Sequence, residues 1–294
     1  MPALQVPPGV EGVASLVELP DDGWRDRWDR IFVSPGHKDR LLNYLLFSLR
    51  HRGRVSDVGL PVHGLIVLSG PPGTGKTTLA GGLADRAARE LGGGPLLFVD
   101  IDPQAFPSQL LGESQRSVAR LFERTLPDIA RRGLPTVVLL DEVEALAVSR
   151  SRASLETNPV DVHRATDAVL AGLDHVAAAC PNVCFVATTN HAAGVDTAFL
   201  SRADLVEEIG LPGSDAVAAI LRDTMGEFTA FDGDAKLAGL ARECVAARLD
   251  ARQLRKLVLR AVCSRRELAL EPARLTLDDV TAELRAEQHD GGSP

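Results

Sequence analysis

Residues 70–77 read Gly70-Pro71-Pro72-Gly73-Thr74-Gly75-Lys76-Thr77, and Thr78 follows. The stretch fits G-x-x-x-x-G-K-[ST]. On its N-terminal side, Leu65-Ile66-Val67-Leu68 is a short, fully apolar run of the kind a buried strand needs. On its C-terminal side, Thr78 to Leu91 has helical patterning and stops at Gly92-Gly93-Gly94. A strand running into a glycine loop that opens a helix is the context in which this motif holds phosphate. Glycines let successive backbone N–H groups curl round an anion without a Cβ in the way. The helix N-terminus adds its positive end. In this reading Lys76 reaches the β- and γ-phosphates of ATP, and the Thr77 hydroxyl takes a place on Mg²⁺.

Two further strand ends complete the pattern. Val137-Val138-Leu139-Leu140-Asp141-Glu142 delivers two acids from a hydrophobic strand. Asp141 is assigned to Mg²⁺, directly or through water, and Glu142 to orienting and deprotonating an attacking water. A phosphotransferase has less use for the second acid, so the pair favours hydrolysis. Phe185-Val186-Ala187-Thr188-Thr189-Asn190 is another apolar strand with a polar end. The Asn190 amide is placed to bond the γ-phosphate and the water; the alternative is an asparagine that caps a strand end.

The frame around these motifs is α/β. Predicted helices cover Asp39–Arg50, Ser114–Arg132 and Asp161–Ala179, alternating with strands at Leu96–Asp100, Thr136–Leu140 and Val183–Thr188. Continuous apolar strands alternating with helices predict a parallel sheet covered on both faces. After Pro212-Gly213 only helices follow: Ser214–Met225, Asp234–Arg248, Ala251–Leu270 and Asp278–Glu287, the last with Thr276 as N-cap. The expected division is a proline- and glycine-bearing extended segment over 1–23, an α/β domain over 24–213 and a helical domain over 214–294.

Composition sets the limits. The chain has 294 residues, of which 45% are hydrophobic and 24% charged, values that support a folded core. The net charge of −8 argues against a nucleic-acid coat or a polybasic membrane binder. Four lysines occur, Lys38, Lys76, Lys236 and Lys256, among 32 basic residues, so the lysine inside the glycine loop stands out. Cys180, Cys184, Cys244 and Cys263 have no zinc-site spacing and read as buried, reduced thiols. No Lys or Arg precedes Arg25, which leaves no basic start for a secretory signal, and no apolar run is long enough to cross a bilayer. A cytoplasmic protein is expected.

With these residues in place, the chain resembles the AAA+ ATPases over roughly residues 24–290. The resemblance makes Lys76 part of Walker A, Asp141-Glu142 Walker B and Asn190 sensor 1. It implies that Arg202, in Asp196-Thr197-Ala198-Phe199-Leu200-Ser201-Arg202, is an arginine finger for a neighbouring subunit's ATP. It implies that Arg252 is sensor 2 in a lid domain, with Arg255 as the rival three residues on. A finger supplied in trans implies a ring, usually a homo-hexamer.

Finer stretches resemble the pachytene-checkpoint ATPases, which remodel HORMA-domain proteins. They are Asp141-Glu142-Val143-Glu144, Asp167-Ala168-Val169-Leu170 with Leu173-Asp174, Val195–Asp204, and Leu249–Leu257. The 69 residues before Gly70 are too few for the N-terminal adaptor domain of eukaryotic members. They look like the short bacterial relatives of CBASS anti-phage systems, in which the ATPase opens a closed HORMA protein and keeps signalling off. Leu110 and Leu111 align with the first substrate-gripping pore loop, where an aromatic is usual; packing against the core is the alternative. Ser149–Asp161, with Arg150 and Arg152, suits a second pore loop or a solvated surface. Two other functions stay open. One is another remodeller or unfoldase of Rubisco-activase type. The other is a DNA-associated AAA+ protein of clamp-loader or initiator type, for which Arg248, Arg252, Arg255, Lys256, Arg260, Arg265 and Arg266 would form the basic stripe.

Overall fold

The computed structural model describes residues 12–33, 35–56, 59, 62–101, 113–147, 159–229 and 234–290. The chain divides into two units, each with its own core. One comprises Met1–Trp28, Ser34–Gly70 and Lys76–Ile209; the other comprises Asp29–Val33, Pro71–Gly75 and Gly210–Pro294.

The first unit is built on six strands: β1 (Val13–Leu19), β2 (Leu65–Ser69), β3 (Leu96–Ile101), β4 (Thr136–Leu140), β5 (Val183–Thr189) and β6 (Leu205–Glu208). Their order in the sheet is β1-β3-β4-β5-β2-β6. All pairings are parallel except β1 with β3. Every residue of β2, β4 and β5 is buried, as parallel strands with both faces covered must be. Helices α1 (Asp22–Asp29), α2 (Pro35–Ser56), α3 (Lys76–Leu91), α4 (Glu113–Arg120), α5 (Leu126–Ala130), α6 (Pro159–Ala179) and the short α7 (Thr197–Leu200) complete the unit.

The two edges of the sheet depart from the expected pattern. Within the segment expected as an extended lead-in over 1–23, Val13–Leu19 is an antiparallel edge strand and α1 begins at Asp22, while residues 1–11 lie outside the described residues. Strand β1 buries only Leu16 and Leu19, so it carries no continuous apolar run. Strand β6, at the other edge, was absent from the sequence reading for the same reason, since buried Leu205 and Glu207 alternate with exposed Val206 and Glu208. The helix expected over Ser114–Arg132 is present, running without a break from Glu113 to Ala130 through α4 and α5 with a π-helical turn at Leu121–Thr125 between them. Leu110 and Leu111, and Arg150 and Arg152, lie outside the described residues.

The second unit packs α8 (Ser214–Gly226), α9 (Asp234–Ala246), α10 (Ala251–Cys263), α11 (Arg266–Leu270) and α12 (Leu277–Asp290) around one apolar cluster. The helix expected over Ala251–Leu270 is two, divided at Ser264-Arg265. Helix α10 buries Leu254, Leu257, Val258, Ala261 and Val262 along one face. The leucines and valines among them each contribute about 1.5–3 kcal/mol by leaving water. Thr276 and Asp279 bond reciprocally at the start of α12: the Thr276 hydroxyl accepts from Asp279 N–H, and the Asp279 carboxylate accepts from Thr276 N–H.

Candidate active site

Strand β2 ends where the glycine loop begins. Gly70 has φ of 143°. A Cβ there would lie 2.1 Å from the Ile209 carbonyl oxygen, so no other residue fits the close approach of these two backbones. Gly70 N–H donates to the Thr189 carbonyl at 3.2 Å, which ties the loop to the end of β5. Within the loop, the Thr74 hydroxyl donates to the Pro71 carbonyl at 3.0 Å. Gly73 has φ of 79°, and a Cβ on it would collide with the Asp250 carboxylate. Asp250 caps α10 in a reciprocal box with Gln253. Arg252 N–H then donates to the Gly73 carbonyl at 3.3 Å. The first turn of α10 therefore rests on the loop tip, with Arg252 in that turn and Arg255 one turn further on.

Helix α3 starts at Lys76. The Lys76 ammonium is buried, 6% exposed, and donates to the Gly70 carbonyl and to Asn190 Oδ1, both at 2.8 Å. With Oδ1 committed to Lys76, Asn190 Nδ2 donates to Glu142 Oε1 at 3.1 Å. Asn190 thus bridges the loop lysine and the second acid of β4. The first acid is held separately. Asp141 Oδ1 accepts from the Thr77 hydroxyl at 2.9 Å and from the Thr188 hydroxyl. Thr188 also accepts from Glu142 N–H at 3.0 Å. Glu142 itself sits at φ 51°, ψ 53°, a left-handed conformation uncommon outside glycine and asparagine. That turn leads into a 3₁₀ segment, Val143–Ala145.

The donor set fits a magnesium nucleotide. Thr77 and Asp141 place two hard oxygens together at the start of α3. Among the described residues no group of three or more His, Cys, Asp or Glu side chains is arranged to hold a metal. A magnesium ion here would take its other ligands from phosphate and water, as it does in sites built on substrate phosphates. Gly75 has φ of 93°, a conformation that side chains rarely adopt, although among the described residues a Cβ there would meet nothing within 4 Å.

Arg202 stands apart from this cluster. It follows α7, which Asp196 caps by accepting from Ala198 N–H at 2.8 Å. Its guanidinium forks onto Asp174 in α6, Nε to Oδ1 at 2.7 Å and Nη2 to Oδ2 at 2.8 Å, while Nη1 donates to the Ala198 carbonyl at 2.8 Å. The guanidinium, with His63 3.6 Å from Asp174, holds the Asp174 carboxyl below its usual range. The sequence reading missed three partners: Thr188 under both acids, Glu144 on Asn190 N–H at 3.0 Å, and Asp174 on Arg202. Of the four cysteines, Cys180, Cys184 and Cys244 are buried as expected, whereas Cys263 is exposed. No described helix is long and apolar enough to cross a membrane.

The AAA model (ATPase family associated with various cellular activities) matches residues 66–211. CD-NTase-associated protein 6 of Pseudomonas aeruginosa is 43% identical over 282 residues, covering 94% of this chain and 92% of that protein. The Pachytene checkpoint protein 2 homolog of Danio rerio is 32% identical over 217 residues, 73% of this chain and 51% of that protein. The chain belongs to the AAA+ ATPases of the pachytene-checkpoint family. It spans about half the length of its vertebrate and plant relatives in that family. The fold matches a chain of the E. coli MS115-1 HORMA:CdnC:Trip13 complex with a TM-score of 0.77 at 19% identity, over 95% of this chain and 96% of that one. It matches C. elegans PCH-2 with a TM-score of 0.76 at 23% identity, over 96% of this chain and 77% of that one. In this AAA+ ATPase the basic stripe considered for DNA is partly spent on neutralising acids: Arg260 pairs with Glu283 and Glu287, and Arg265 with Asp279.

Proposed function

We propose that this AAA+ ATPase hydrolyses ATP to ADP and phosphate in a homo-hexameric ring, and uses the cycle to open or disassemble a closed HORMA-domain protein. In a bacterial anti-phage (CBASS) setting this activity keeps signalling off. The observation that carries the hydrolytic part is the continuous chain Lys76–Asn190–Glu142, with Asp141 bonded to Thr77 beside it. Lys76 and the N–H groups of the Gly70–Thr78 stretch bind the β- and γ-phosphates. Bound Mg²⁺ supplies charge neutralisation on the phosphate oxygens, held by Thr77 and Asp141. Asn190 orients the attacking water. Glu142 takes its proton as the new O–P bond forms and the bond to ADP breaks. Arg202 of a neighbouring subunit offsets charge on the transferred phosphoryl group. Arg252, in the first turn of α10, reads the nucleotide state.

The client rests on relatives. The P. aeruginosa protein carries the name of a CD-NTase associate. One solved chain of this fold comes from a complex that includes a HORMA protein. The test is a steady-state ATPase assay with and without a purified bacterial HORMA protein, read beside size-exclusion of that protein's complexes. Stimulation of at least severalfold, with loss of the complexes that depends on ATP, is expected. Turnover indifferent to every HORMA protein, but raised by DNA or by another misassembled enzyme, would replace the client.

A further inference from the structure

The Asn190 backbone presents an accounting problem that the sheet does not solve. Strand β5 pairs with β2 only as far as Ser69 with Thr189, and with β4 only as far as Leu140 with Ala187. Asn190 N–H lies one residue past the last rung, where a backbone donor must find another partner. It finds Glu144: the N–H donates to Oε1 at 3.0 Å across 46 residues of sequence. The other carboxylate oxygen, Oε2, is buried and has no hydrogen-bond partner among the described residues. Glu144 as a residue is only half-buried, but a carboxylate oxygen buried without a partner is costly, which calls for a task done by the oxygen that is answered.

We propose that Glu144 is a positioning residue for hydrolysis, acting through Asn190. The left-handed Glu142 turns the chain into the 3₁₀ segment and carries the Glu144 side chain back to the end of β5. That segment is then pinned to β5 in both senses: Glu142 N–H to the Thr188 hydroxyl, and Asn190 N–H to the Glu144 carboxylate. Fixing the nitrogen on Asn190 Cα sets the axis about which its side chain turns. That side chain spans only from Lys76 at 2.8 Å to Glu142 at 3.1 Å. A loosened Asn190 loses the geometry, and small misplacements at a reacting centre are expensive in rate. The charge-assisted acceptor is the stronger choice for such a hold.

The inference rests on Asn190 and Glu142 taking part in hydrolysis, so the experiment is a double-mutant cycle in the full-length protein with Asn190→Ala as the second arm. Glu144→Ala should lower kcat about tenfold or more, with the KM for ATP and the affinity for a non-hydrolysable analogue changed less than about threefold. Glu144→Gln, which keeps an acceptor at the same reach, should retain a third or more of kcat. Glu144→Asp, which keeps the charge but is one methylene short, should behave like the alanine variant. In the Asn190→Ala background none of the three should matter. If Glu144→Ala does not fold, the Asp and Gln variants carry the same cycle. Losses that multiply in the Asn190→Ala background overturn the positioning role, as does an Asp variant that outperforms Gln. An Asn190→Ala protein with normal turnover would instead overturn the reading of the site itself.

Discussion

Lys76 and Arg202 are both cations of the α/β unit, and their surroundings differ in kind. Lys76 is 6% exposed, and its donors go to Gly70 and Asn190, members of one cluster fed by the ends of β2, β4 and β5. Arg202 keeps a side-chain exposure of 23% and is forked on Asp174, which is itself 46% exposed. The first arrangement is closed within the chain. The second holds a planar, permanently charged group at a fixed angle and leaves part of it facing outward. One suits a site that binds the chain's own nucleotide; the other suits a group that serves a site elsewhere.

The sharpest way to break that contrast is Arg202→Ala. An arginine finger is worth about a thousandfold or more in rate, so turnover should fall by that order while nucleotide still binds. Mixed with Lys76→Ala subunits, whose own pocket is disabled, the variant should regain hydrolysis at the shared interfaces. No rescue at any ratio would move Arg202 into the same class as Lys76. The next largest effect is expected from Glu142→Gln. Loss of the general base should cost about a hundred- to ten-thousandfold in kcat. ATP binding, measured by a fluorescent analogue, should survive. Near-normal turnover would remove Glu142 from its assigned role.

How much of this was legible follows from what each residue answers to. The 70–77 loop was readable because backbone chemistry dictates its residue types: at Gly70 the neighbouring carbonyl leaves no room for a Cβ. Strands β2, β4 and β5 were readable because burial on both faces leaves an unbroken apolar run. Strands β1 and β6 were not, because an edge strand with one buried face needs only alternate apolar residues. Thr188, Glu144 and Asp174 were hidden for another reason. Their partners are Asp141, Asn190 and Arg202, which lie 28 to 47 residues away in sequence. The first two pairings depend on how β4 lies beside β5, with Leu140 opposite Ala187, and no local pattern encodes that. Cys263 was misjudged because it sits on the outward face of α10, where helical phase and not residue type decides exposure.

Asp174→Asn gives the smallest effect and the finest distinction. The pair it breaks is partly exposed, and such pairs contribute about 0–1 kcal/mol, so the melting temperature should move by no more than a few degrees. Turnover should fall more than stability does, by a few-fold, because an asparagine cannot hold both arms of the guanidinium fork. The pH dependence tests the charge on Asp174 itself. Its carboxyl is held below the ordinary value of 3.8, first by the Arg202 hydrogen bonds. A depressed carboxylate stabilises the fold above its unfolded value and loses that contribution as pH falls through the folded value. The stability difference between wild type and Asp174→Asn should therefore stay level from about pH 8 to pH 5 and shrink only below about pH 4. If it collapsed instead well above about pH 5, the charge on Asp174 would not be what the pair depends on. Arg202 would be far less firmly held than its two short contacts imply.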